Sequence, residues 1–121
     1  MGSGYFAYQT MELQCVDMGL VGSIINQSFN QCSALKTIIL RKSDALVTIN
    51  NVNNFASTPF ANGGTGGTIY IPKALYDHLG DNSSLDYQHA TNWSTVYGYG
   101  TITWAKIEGS IYESTDWIIS V

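Results

Sequence analysis

Leu35, Ile38 and Leu40 stand in the pattern L-x-x-L-x-L, and Leu13, Val16 and Met18 stand in the same pattern 22 residues earlier. This recurrence constrains the fold more than anything else in the chain. Alternate apolar positions over a few residues describe a short strand with one face turned to a core. One such strand cannot bury its face alone, so a repeated one predicts neighbours stacked against each other. The residues around the pattern recur as well. Phe29 and Cys32, spaced by three as in a helical turn, match Ala7 and Thr10 at the same offset. Phe55 and Thr58 match them again 26 residues downstream, with Phe60 and Ala61 near the slot of Leu35. The expectation is that Gln14–Met18, Thr37–Arg41, Thr68–Ile71 and Thr101–Ile107 lie side by side, parallel, in one sheet.

Between these strands the chain is punctuated. Gly19 lets it leave the first strand, and Val21, Ile24 and Ile25 return apolar side chains to the core. Leu46–Ile49 alternates as a short strand on another face. Asn50, Asn51, Asn53 and Asn54 mark a loop, since asparagine tolerates left-handed backbone angles and caps helices. The run from Gly63 to Gly67 suggests a phosphate-binding loop. No Gly-Lys-Ser/Thr follows, however, and Gly67 leads into a strand and not a helix, so it reads as a turn with close backbone approach. After Pro72, Lys73–Leu79 has helical spacing and stops at Gly80. Asp81–Asp86 reads as a polar loop. Ala90, Trp93 and Val96 predict a short helix over His89–Val96, initiated by Thr91-Asn92.

The 121 residues suit one domain with one continuous core. Only 12% are charged and the net charge is −4, with no basic cluster longer than Arg41-Lys42, which argues against nucleic acid as a partner. No apolar run reaches the length of a membrane span, so no membrane insertion is expected. A surface of Ser, Thr, Asn, Gln, Gly and Tyr suits an extracellular or particle-surface setting. The opening Met1-Gly2-Ser3-Gly4 looks like an added scar or a truncated edge. Cys15 and Cys32 fall in no C-x-x-C pair and read as buried packing thiols. With His78 and His89 they make no ligand spacing, so no metal and no cofactor is expected. No Gly-x-Ser-x-Gly, His-Glu-x-x-His or calcium-loop motif occurs, and no catalytic residue is assigned. His78 reads as a packed or half-exposed residue, and Asp77/Asp81 as ordinary solvated carboxylates.

The unit F-x-x-C-x-x-L-x-x-I-x-L resembles the BspA-like subclass of leucine-rich repeats. The segment TPFANGGTGGTIYIPKALYDHL, followed by ATNWSTV and IEGSIYE, looks like the C-terminal cap of such repeats, and the resemblance covers roughly Leu13 to Glu113. It implies an α+β, mainly β fold: a short right-handed parallel leucine-rich-repeat solenoid with a C-terminal helix/strand cap. Residues 1–60 would hold degenerate repeats and 61–121 the capping region. It also implies a non-enzymatic structural or adhesion role, in a phage or prophage particle (a tail protein, for instance) or on a bacterial surface. Partners would be a protein or a second copy of the chain, with a glycan as the other ligand class. The chain departs from the pattern in its loop around Leu79–Tyr87 and in its tail STDWIISV.

Two sets of residues are candidates for contact. Tyr70, Tyr76, Tyr97, Tyr99 and Trp104 would bind a glycan or protein if exposed, because aromatic rings offer large contact area at low entropic cost. The opposing reading is core packing, favoured for Trp93 and Trp104. Trp117, Ile118, Ile119 and Val121 form an apolar tail that would pack on a neighbouring copy, or fold back on its own core.

Overall fold

The computed structural model describes residues 13–24, 29–61, 64–97 and 101–107. It is a small α/β protein with parallel strands and few helices. Four strands, β1 (Cys15–Asp17), β3 (Thr37–Ile39), β5 (Gly67–Ile71) and β6 (Ile102–Lys106), form one sheet in that order. Every neighbouring pair is parallel. A second sheet pairs β2 (Ser23–Ile24) with β4 (Thr48–Ile49), again parallel. The four expected strands therefore lie side by side as predicted, with the first and the second each shortened to three residues.

The 22-residue offset is the actual register. Cys15, Val16 and Asp17 face Thr37, Ile38 and Ile39. The row then continues Val16–Ile38–Ile69–Trp104 across all four strands, and every member is buried. Met18, Leu40 and Ile71, two residues further along, are buried with them, as a side-chain period of two requires. Cys15, Ile39 and Ile107 are buried too, but outside that cluster.

A third line of hydrogen bonds runs between the loops. Phe29 N–H donates to the Asn54 carbonyl and Gln31 N–H to that of Ala56. The turns that carry these bonds are the ones matched in sequence: Cys32 N–H bonds back to Phe29, and Thr58 N–H to Phe55. Because the two turns are equivalent, the rings of Phe29 and Phe55 stack, 5.8 Å apart and 16° from parallel. Thr58 also donates its hydroxyl to the Phe55 carbonyl.

The glycine-rich turn is explained by packing. A Cβ on Gly67 would fall 2.5 Å from the buried ring of Phe60, so only glycine fits there. The helices are shorter than their patterns. α1 spans Lys73–Tyr76 and continues as turns to Gly80. The segment expected as one helix is split: a 3-10 turn at Tyr87–His89 precedes α2 (Trp93–Tyr97). Asn92, between them, has φ 66°, a left-handed angle that no helix can run through.

Leu35 and Ile38 are both fully buried within the core cluster. Leu35→Ala is expected to destabilise the fold by about 2–5 kcal/mol. A melting temperature equal to that of the parent would contradict this packing.

Candidate functional site

The second sheet ends at β4, and what lies beyond it is the most specific arrangement in the molecule. In a parallel ladder, successive residues point their backbone groups to opposite sides. Thr48 and Asn50 donate to Gly22 and Ile24, so they face β2. Val47 and Ile49 therefore face away, where a further strand would pair. Three side chains occupy that edge. Tyr87 Oη accepts from Val47 N–H at 2.9 Å, Trp93 Nε1–H donates to the Val47 carbonyl at 2.7 Å, and Asn92 Nδ2 donates to the Ile49 carbonyl at 2.8 Å. These are the bonds that β4 itself gives to β2, with side chains in place of backbone. Asn54 repeats the device one step earlier, its Nδ2 reaching the Ile24 carbonyl at 3.0 Å.

The side chains come from a segment locked by one carboxylate. Asp86 is fully buried. It accepts from Asn82 N–H (2.8 Å), Gln88 N–H (2.9 Å) and His89 Nδ1 (2.5 Å). Burial alone would raise its pKa, but these bonds, together with one from the Gly80 backbone, outweigh burial and hold it below the usual carboxylate range. The outer half of the same loop is tied by Asp81, which accepts from Ser83 and His78 and titrates at about 2. With the loop fixed, Tyr87 and Trp93 enter the core. Tyr87 stacks on Trp104 at 4.7 Å, and Trp93 meets Phe55, Tyr87 and Trp104 at 5.6 Å each. Burial pushes the Tyr87 phenol up to about 12, so its hydroxyl stays protonated across the physiological range.

The candidate aromatics do not gather at one place. Trp104 is only 7% exposed and belongs to the core, which removes it as a surface platform. It points inward from its strand, and its Nε1–H has no acceptor among the described residues. Tyr70, Tyr76 and Tyr97 are half-buried, on β5, α1 and α2 respectively. The Lys106 ammonium lies 5.7 Å from the centre of the Tyr76 ring. Tyr99, Trp117, Ile118, Ile119 and Val121 lie outside the described residues.

The described residues line at least two surface clefts. One, about 470 Å³, runs along the β4 edge between Leu46, Val47, Ile49, Ala90 and Trp93. The other, about 370 Å³, is lined by Ser33, Ser57, Thr58, Pro59, Gly64 and Thr65. Among the described residues lining them, none has an ionisable side chain. Cys15 and Cys32 are buried thiols, and burial, reinforced by Asp17, pushes Cys15 up to about 12. Among the described residues no group of three or more His, Cys, Asp or Glu could hold a metal. None of their helices is long and apolar enough to cross a membrane.

No family model matches the chain, and no curated protein and no solved structure is similar to it.

Proposed function

We propose that this chain is a non-enzymatic assembly or adhesion module, built as a short right-handed parallel solenoid of BspA-like leucine-rich repeats with a C-terminal cap. The observation that carries the reading is the set of three parallel lines of hydrogen bonds. β1–β3–β5–β6, β2–β4, and the turns at Phe29 and Phe55 all run in the same sense. A chain that returns to the same three sides in turn builds an extended surface, and such surfaces serve binding to other proteins. The resemblance of its repeat and cap motifs points to a phage or prophage particle or a bacterial surface as the setting. There the module would contact a structural partner, a host surface or a second copy of itself. The apolar tail Trp117, Ile118, Ile119 and Val121 supplies a contact for assembly.

Sedimentation of the purified chain tests this reading. The parent is expected to sediment above its monomer mass, and a variant with Trp117→Ser and Ile119→Ser at the monomer mass. Identical monomers would defeat assembly through the tail. Binding of the parent to neutral glycans, lost on Tyr70→Ala or Tyr76→Ala, would favour the alternative of a glycan- or protein-recognition domain working through its tyrosines.

A further inference from the structure

The outer edge of β4 and the outer edge of β2 are complementary halves of one contact. Gly22 and Ile24 face β4, so Ser23 faces the other way, and no described residue pairs with that edge. At the far side, Val47 and Ile49 offer the groups that would receive a strand of the β2 kind, continuing the ladder in the register Ser23–Thr48 and Ile24–Ile49 already present. We propose that the β4 edge is a strand acceptor kept closed by Tyr87, Asn92 and Trp93. The occupant it would take on opening is β2 of a second copy of this chain.

Two observations support that choice of partner. The replaced bonds are those of a parallel strand, position by position: Trp93 Nε1 stands for the Thr48 N–H, and Asn92 Nδ2 for the Asn50 N–H. The cleft beside the edge, lined by Leu46, Val47, Ile49, Ala90 and Trp93, leaves room along the line that an incoming strand would take. The contact is head-to-tail, one edge of each copy meeting the opposite edge of the next. It does not close into a dimer but propagates as a fibre. The three side chains are thus a guard against edge-to-edge stacking, an alternative to the charges and prolines that blunt other exposed edges.

The test is the double variant Tyr87→Phe and Asn92→Ala, which keeps both core rings and withdraws two of the three side-chain partners. Exchange of the Val47 amide hydrogen, followed by NMR, is expected to quicken by about tenfold or more as its acceptor is lost. The average mass of the variant is expected to rise with concentration beyond that of the parent. Ser23→Pro, which removes the N–H on the β2 edge, is expected to reverse that rise. Association through the apolar tail would be untouched by Ser23→Pro, which separates the two contacts. Faster exchange with a mass equal to the parent at every concentration would overturn the proposal. So would a rise in mass that Ser23→Pro leaves in place, or exchange that does not change. If the double variant fails to fold, Asn92→Ala alone, which leaves the aromatic core whole, is read by the same mass series and the same proline.

Discussion

Trp93→Ala is expected to lower stability by about 3–5 kcal/mol, enough to unfold much of the population of a domain that holds only about 5–15 kcal/mol in all. The residue is 1% exposed and joins elements distant in sequence. Its ring meets Phe55 from the loop after β4, Tyr87 from the preceding turn and Trp104 from β6, all at 5.6 Å. Each aromatic pair adds about 0.5–1.5 kcal/mol beyond the area it buries. Its Nε1–H is also the donor to the Val47 carbonyl. Alanine removes the ring contacts and orphans that carbonyl at once. Phenylalanine separates the two: it keeps most of the apolar area and loses only the donor, at about 1–3 kcal/mol. Denaturant titrations of parent, Trp93→Phe and Trp93→Ala should fall in that order. If phenylalanine costs as much as alanine, the hydrogen bond carries the residue's contribution. If phenylalanine costs nothing, the β4 edge is held by Tyr87 and Asn92 alone.

The parts of this fold that were legible in the sequence are those where one residue type repeats one task. Val16 and Ile38 are register partners because both fill the same inward slot, and a 22-residue offset is all that a strand pair needs to declare itself. Phe29 and Phe55 stack for the same reason. Spacing lengthens afterwards: Thr37 pairs with Thr68, and Gly67 with Ile102. The loops grow while the strands keep their place, and alternation within each strand, not offset between them, marks the later pairs.

What stayed hidden depends on partners far along the chain. Tyr87 closes a loop that reads as polar, and its hydroxyl meets a backbone amide 40 residues away. No local pattern announces that a tyrosine will substitute for a strand. Asn54 looks like a loop asparagine and Asn92 like the start of a helix, yet each uses its side-chain amide to satisfy a carbonyl at a strand end. Asn54 is fully buried, where its loop-rich surroundings suggest exposure. Trp104 is a milder case. Alternation set Ile102, Trp104 and Lys106 on one face of their strand and left open which face was the inner one. Ile69 and Ile38 beside it decide that, by extending the buried row.

Asp86→Ala is expected to cost about 3 kcal/mol at neutral pH and much less in acid. Four hydrogen-bond donors converge on the carboxylate: the backbone N–H groups of Gly80, Asn82 and Gln88, and the His89 ring. Bonds to a charged acceptor contribute about 1.5–3 kcal/mol each, and they share one anchor, so they do not simply add. The folded protein holds the carboxyl below its ordinary value. The unfolded chain therefore binds a proton more readily than the native one, and stability rises with pH across that interval. The contribution is complete above the unfolded value of about 4 and is lost as pH falls through the depressed folded value. Denaturant titrations of parent and variant at pH 7 and near pH 2–3 would measure this. The gap between them should be wide at pH 7 and narrow in acid, as the parent sheds what the variant never had. Asp81, also held low but exposed, contributes its own acid dependence to both proteins and cancels in the difference. A gap of the same width at both pH values would mean that Asp86 acts by shape alone. No gap at all would mean that Tyr87 and Trp93 hold their places without it, and the closure of the β4 edge would then rest on core packing and not on the loop.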